Sequence, residues 1–267
     1  MQKVGYLGPS GTFTRQAAGI LVSEGEFVPM YDINEIFELV DNGICEVGIA
    51  PIENSTEGSV NATLDALLAT NVVITELLVM PIKHAIISHS KAPQKILAHP
   101  QALAQCRNYL RKNFANISQI ACSSNGEAAA IASEDSTAAA IAPEYAATTY
   151  NLTILDSNIQ DSAVNSTSFV KIVKNNGSTT APQANCRTAI AFSTENCSGA
   201  LCKILGTFET YNINMTKILS RPMPQHLGEY IFFVDIEDYN ANDAKNALDK
   251  IKNNTTMYKF LGSYVVK

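Results

Sequence analysis

VGIAPIENSTEGSVNATLDALL, residues 47–68, is the stretch from which the fold can be read. VGIA (47–50) is an apolar run of strand length, and the segment after it carries Leu64, Leu67 and Leu68 at helical spacing. Between them Glu53, Asn54, Ser55, Thr56, Glu57, Gly58 and Ser59 crowd one strand-to-helix corner. One or two such groups cap a helix, here one beginning near Ser59. The spare hydroxyls and amide suit an oxygen-rich ligand at the carboxyl end of a strand, where open α/β sheets bind theirs.

The same cycle recurs on both sides of this corner. KVGYLG (3–8), EFVPMY (26–31), KILAH (95–99), QIACS (119–123) and TAAAIAP (137–143) read as strands. Helical patterns follow each, including a single helix over 100–114. Such alternation predicts parallel sheets flanked by helices. VGIAPIE (47–53) and AAIAPEY (139–145) echo one another, which suggests two similar lobes joined by the extended runs 72–88 and 160–173. The expected division is a first lobe over about 1–76 and 161–174 and a second over about 77–160. KNNGSTTAPQAN (174–185), without apolar period, reads as a linker ending at 185. Beyond it, 186–267 has the order βαββαβ of a ferredoxin-like unit, whose sheet face and edge need cover, for example from a second copy.

Composition narrows the class. The 267 residues are 46% hydrophobic and 16% charged, enough for a real core and too ordered a mixture for a disordered chain. A net charge of −6 disfavours nucleic acid or an anionic membrane as partner. The most apolar window, 72–87, contains Glu76, Pro81, Lys83 and His84 and does not read as a membrane span. MQKVGYLG does not read as a secretion signal, so a cytoplasmic protein is expected. The six cysteines contain no C-x-x-C pair and read as reduced thiols.

Three further corners resemble the first. GPSGTF (8–13) follows a strand and offers backbone N–H groups and the Thr12 hydroxyl to an anion, or a plain turn and helix cap. HPQ (99–101) sets His99 and Gln101 at a helix start. NSTSF (165–169) places Thr167 and Ser168 on an extended segment, where alternation sends them to opposite faces. Only three arginines, Arg15, Arg107 and Arg111, occur before residue 174, and there is no carboxylate–histidine metal cluster or cofactor loop. Such a site, lined by hydroxyls, amides and helix N-termini, suits a small carboxylate.

GPSGTFTRQAA, VGIAPIENSTEGSV, HPQALAQC and NSTSF, followed by GAL (199–201) and SRP (220–222), together resemble the prephenate dehydratases along essentially the whole chain. The resemblance implies a bilobal catalytic domain like the type II periplasmic binding proteins over 1–174. It implies a linker over 175–185 and an ACT regulatory domain over 186–267 that binds phenylalanine. The implied reaction converts prephenate to phenylpyruvate, water and carbon dioxide in L-phenylalanine biosynthesis, without metal or organic cofactor, in a homodimer or homotetramer. Thr167 takes the place of the family's essential threonine and is expected to donate to the leaving hydroxyl. Thr12, Asn54, Ser55, Thr56, Gln101, Ser168 and Phe169 are the implied substrate-binding set, with Glu53 and His99 behind them. Gly199, Ala200, Leu201, Leu219, Ser220, Arg221 and Pro222 are the implied effector positions.

The chain departs from the family pattern at several places, among them the aromatic residue that often precedes EYIFFVDIE (229–237), which is missing here. Ser168 stands where the family has an arginine expected to help hold the substrate, so Lys83 or Arg15 is the expected replacement cation. Ala98 stands for a serine, and Leu219 for the glutamate of Glu-Ser-Arg-Pro. The alternatives that remain at this level are an arogenate dehydratase and a non-catalytic carboxylate or amino-acid sensor of the same architecture.

Overall fold

The computed structural model describes residues 1–162, 164–177, 182–183, 185–223, 228–237 and 239–267. Part of the expected linker, 178–181 and 184, lies outside the described residues. The chain begins β1 (Lys3–Leu7), α1 (Phe13–Leu21), β2 (Glu26–Met30), α2 (Ile33–Asp41), β3 (Val47–Asn54), the two-residue β4 (Gly58–Ser59), α3 (Asn61–Ala69) and β5 (Val72–Pro81). It crosses into a second lobe of β6 (Ala85–Ser88), β7 (Lys95–Ala98), α4 (Pro100–Gln105), α5 (Arg107–Asn113), β8 (Ser118–Ala121), α6 (Asn125–Glu134), β9 (Ala138–Ala142), α7 (Glu144–Tyr150) and β10 (Thr153–Ser157). It returns as β11 (Ser166–Lys174) and ends in β12 (Arg187–Ser193), α8 (Ala200–Thr210), β13 (Asn214–Pro222), β14 (Tyr230–Glu237), α9 (Ala241–Lys252) and β15 (Met257–Val266).

The fold is mixed α/β with two sheets. In the first lobe β2, β1 and β3 run parallel, but β11 lies between β3 and β5 and is antiparallel to both. In the second, β8, β7 and β9 are parallel, whereas β6 and β10 form an antiparallel pair at the other edge. The expectation of purely parallel sheets fails for one reason. β5–β6 carries the chain out and β10–β11 brings it back, so the crossing segments run opposite ways in both lobes. Ile82 N–H donates to the Asn165 carbonyl at 2.9 Å, and Ile159 N–H to that of His84 at 3.0 Å, which ties the crossings together. Residues 77–81 remain in the first sheet, so the lobe boundary falls near 82–84 rather than at 76.

The helix expected over 100–114 is broken at Cys106, where the backbone leaves the helical region. Asp161 from the returning crossing explains the break. Its N–H donates to the Gln105 carbonyl at 2.7 Å, and its carboxylate accepts from Asn108 N–H, so it starts α5 afresh.

Alternation along β3 and β11 divides the first lobe's core. Val47, Ile49 and Phe169 face α1, whose Ala17, Ala18 and Leu21 cover them. Ala50, Ile52, Val170 and Ile172 face the other way, toward Phe37, Leu64 and Leu67 of α2 and α3. That second cluster runs on without a break into Ala189, Ala191, Phe233, Leu261 and Tyr264 of the C-terminal sheet. The C-terminal strands order as β13-β14-β12-β15, the ferredoxin-like arrangement, with Ile204 and Phe208 of α8 and Leu248 and Ile251 of α9 in the cluster on the opposite face. The face and the edge at β15, for which a second copy was one possible cover, are covered from within the chain. The first lobe takes the face, and β15 pairs parallel with β5 through Val265 and Val266. Edge β13 lies at the end of the joined sheet.

Candidate active site

Strand β11 brings the corner and the return strand together. Thr167 sits opposite Asn54, and Ser168 opposite Glu53. Residues directly opposite on antiparallel strands share a face, so Thr167 and Asn54 meet on one side and Ser168 and Glu53 on the other. Asn54 Oδ1 accepts from the backbone N–H groups of Thr56 at 2.9 Å and Glu57 at 3.2 Å. Backbone N–H groups only donate, so this end of the carboxamide must be the oxygen. The Thr56 hydroxyl donates to the same oxygen at 2.5 Å. Asn54 Nδ2 therefore points to Thr167 Oγ1, at 2.8 Å, and to Asn165 Oδ1, at 3.0 Å. Thr167 accepts in this arrangement, and its own hydroxyl hydrogen finds no acceptor among the described residues. Only 9% of Thr167 is exposed.

The crowding of polar groups at 53–59 thus serves largely to hold Asn54 and the return strand. Ser55 N–H donates to the Ser166 carbonyl, Ser166 N–H donates to Ser55 Oγ at 3.0 Å, and that hydroxyl donates to the Val164 carbonyl at 3.2 Å. The expected capping of α3 by this corner is absent. Val60 occupies the cap position without a side-chain bond, and Thr63 Oγ1 instead donates to the Pro51 carbonyl.

The other implied site residues are placed as follows. Thr12 caps α1 by accepting from Arg15 N–H at 3.3 Å, and its hydroxyl hydrogen is shared between the Leu7 and Pro9 carbonyls. Phe169 is buried in the α1 core, on the same side as Thr167. Ser168 faces away from Thr167, into a cavity of about 190 Å³ beneath the C-terminal sheet, with Glu53, Lys217, Asp235 and Tyr264. Burial raises the Asp235 carboxyl above its usual range, against the nearby Lys217 cation. Glu53 pairs with Lys217 at 2.6 Å, so it belongs to this interface and not to the Thr167 side. His99 caps α4, accepting from Gln101 N–H at 3.3 Å, and its own N–H donates to Asn125 Oδ1 at 2.9 Å. The Gln101 side chain makes no hydrogen bond among the described residues, and no contact joins it to Thr167. Ala98 is fully buried in the second lobe's core, where a serine would need a partner.

Among the described residues neither replacement cation bonds to Thr167. The Arg15 guanidinium stacks over Phe27 at 3.8 Å, with Tyr6 and Tyr145 at 5.7 Å. Lys83 is exposed and makes no ion pair among the described residues.

The lobes touch around the β1–α1 turn. Tyr150 donates its hydroxyl to the Ser10 carbonyl at 2.8 Å, and Phe13 meets the His84 ring edge-on at 5.4 Å. A Cβ on Gly126 would lie 2.6 Å from the Ser10 carbonyl oxygen, so the glycine permits this approach. His84, Asn125 and above all Asn165 are site neighbours that sequence reasoning passed over. Asn165 had a usable signal, since it lies two residues from Thr167 on the same strand face.

The effector positions divide by sheet face. Ser220 and Pro222 pair with Phe232 and Tyr230, which line a small pocket of about 150 Å³ with Ala200 and Leu201 at the start of α8. Gly199 precedes that helix at φ 81°. Leu219 and Arg221 face the first lobe instead, Leu219 packed on the shared core and Arg221 paired with Asp65 at 2.5 Å.

Fold and corner define a two-lobed α/β protein whose polar residues gather where the chain crosses between lobes, with a βαββαβ unit packed on the first. The profile of the family "Prephenate dehydratase" matches residues 4–177. A "Bifunctional chorismate mutase/prephenate dehydratase" of Aquifex aeolicus is 40% identical over 98% of this chain and 73% of its own. A "Prephenate dehydratase" of Methanocaldococcus jannaschii is 37% identical over 98% of this chain and 97% of its own. The crystal structure of a prephenate dehydratase in complex with L-Phe from Arthrobacter aurescens superposes with a TM-score of 0.87 at 30% identity, over 98% of this chain and 90% of that one. The chain belongs to the prephenate dehydratase family and is an enzyme of the lyase class.

Proposed function

We propose that the chain converts prephenate to phenylpyruvate, water and carbon dioxide in phenylalanine biosynthesis, with Thr167 donating to the departing ring hydroxyl. The carbon–carbon bond to the ring carboxylate breaks and its electrons enter the ring. The ring carbon–oxygen bond breaks, and the oxygen takes up a proton and leaves as water. Aromatisation drives the change, so the protein has mainly to orient the substrate and supply that proton. A threonine hydroxyl is a weak acid, so Thr167 acts as a positioned donor and proton relay.

The observation that carries this reading is the Asn54–Thr167 bond, which occupies an acceptor site of the threonine and leaves its hydrogen free. Thr12, Asn54, Ser55, Thr56, Gln101 and Phe169 are the proposed substrate-binding set, in which Asn54 also sets the direction of the Thr167 hydroxyl. Ser168 serves the inter-unit face.

Residues 1–174 form the catalytic domain, 175–185 the linker, and 186–267 an ACT domain that binds L-phenylalanine as feedback inhibitor. Support comes from the relative crystallised with L-Phe and from the pocket beside Ala200 and Leu201. Edge β13, with Ile218 exposed on it, suits a homodimer or homotetramer. Six free cysteines suit the reducing cytoplasm. Among the described residues no helix is long and apolar enough to cross a membrane.

The test is turnover of prephenate by the purified chain, with and without L-phenylalanine, alongside Thr167→Val. Valine keeps the shape and removes the hydroxyl, so kcat should fall by about a hundredfold or more while substrate binding persists. A parent chain that folds and does not turn over prephenate would sink the reading. Unchanged turnover in the variant would remove Thr167 from the mechanism.

A further inference from the structure

The chain of donors and acceptors at the corner does not end at Thr167. Asn54 Nδ2 donates to Asn165 Oδ1, and the direction of that bond is forced by the two backbone N–H groups at the other end of Asn54. Asn165 therefore presents its oxygen to Asn54 and turns its Nδ2 the other way. That nitrogen is buried and has no hydrogen-bond partner among the described residues, in a residue only 5% exposed. A flip of the carboxamide does not rescue it, because Nδ2 would then face the donating Nδ2 of Asn54. One nitrogen, Asn54 Nδ2, thus holds the Asn165 carboxamide oxygen at 3.0 Å and the Thr167 hydroxyl oxygen at 2.8 Å. Two donors in buried residues, without acceptors among the described residues, are costly in a folded protein unless a ligand oxygen completes them.

We propose that Asn165 is a second donor to the departing ring oxygen, its Nδ2–H stabilising the charge that develops there while Thr167 passes the proton. This deepens the reading of the site given above and rests on it. The oxygen gains negative charge as its bond to the ring stretches, so a preorganised N–H is worth more in the transition state than in the ground state. Asn165 thus acts on kcat rather than on substrate affinity. Its backbone carbonyl, bonded to Ile82 N–H, fixes the residue at the lobe crossing.

The experiment compares the parent with Asn165→Asp across pH, using prephenate and subtracting the uncatalysed rate. At neutral pH an ionised aspartate still accepts from Asn54 but has no hydrogen to donate. kcat should fall by about a hundredfold. As pH drops through the aspartate's pKa, the neutral carboxyl regains a donor on its outer oxygen, and the variant's kcat should recover toward the parent's. A purely structural asparagine gives no such recovery. Should the aspartate fail to fold, Asn165→Ala, whose space admits a water to Asn54, replaces it and should show the same loss with KM within about threefold. A folded variant with kcat within about threefold of the parent, or a loss confined to KM, overturns the proposal. Absence of turnover in the parent itself is a separate result and points at the assigned reaction.

Discussion

At the scale of the residue, Asn54 uses one carboxamide for five hydrogen bonds: two donated, to Thr167 and Asn165, and three accepted from Thr56 and Glu57. Asn54→Ala removes all of them while leaving Thr167 in place. Stability should fall by about 2 kcal/mol, measured by urea unfolding, because buried groups lose their partner. Turnover should fall with it, since nothing then sets the direction of the Thr167 hydroxyl. A variant as active as the parent would show that Thr167 is oriented by other means. Asn54 and Thr167 were legible in the sequence as polar residues at a strand end and on a return strand. What they do to one another was not. The role of Ser55 as a brace, and of Asn165 as neighbour, depends on pairing residues more than a hundred positions apart, which local pattern does not encode.

At the scale of the element, β15 is the least expected piece. The sequence marks it as the last strand of a βαββαβ unit, and the structure makes it also the bridge to β5. Gly262 permits this, with φ 140° and a would-be Cβ only 2.2 Å from the Ile74 carbonyl oxygen. Gly262→Ala should cost about 3 kcal/mol through strain and overlap with backbone that cannot yield. Denaturant unfolding checks this, and a loss below about 1 kcal/mol would mean the strand adjusts freely. Alternation explains Ser168 in the same way. The period of two correctly separated it from Thr167, but which face met the substrate side and which met the C-terminal sheet was decided by packing of a distant unit. Leu219 lies on that same inter-unit side, next to the apolar core it continues. Two of the departures from the family pattern, Ser168 and Leu219, therefore fall away from Thr167. The broken helix at Cys106 was hidden for a similar reason, since the residue that breaks it, Asp161, arrives from beyond the whole second lobe.

At the scale of the whole molecule, His84 reports on the lobe crossing. Its Nε2 lies 2.9 Å from Gln105 Oε1, its ring meets Phe13 of the other lobe, and burial lowers its pKa from the ordinary 6.5. The folded state thus holds the neutral ring, whereas the unfolded chain takes up a proton near 6.5. His84 contributes stability above that value, and the contribution is lost as pH falls from there through the lower folded value. Thermal midpoints should drop between neutral and mildly acidic pH, and less steeply in His84→Gln. Parallel curves for the two proteins would assign the acid sensitivity to other groups.

The two crossings carry a further consequence for how the molecule comes to exist. β11 is an interior strand of the first lobe, between β5 and β3, and every residue of the second lobe precedes it in the chain. A ribosome therefore delivers Asn54 long before Thr167. Until residue 174 has emerged, the first lobe is an open half-sheet with an empty slot between β3 and β5. The second lobe, contiguous from β6 to β10, can complete its own sheet in that interval. On this timetable the interrupted lobe is finished after the uninterrupted one, and the strand that closes it is the same strand that delivers the reactive hydroxyl.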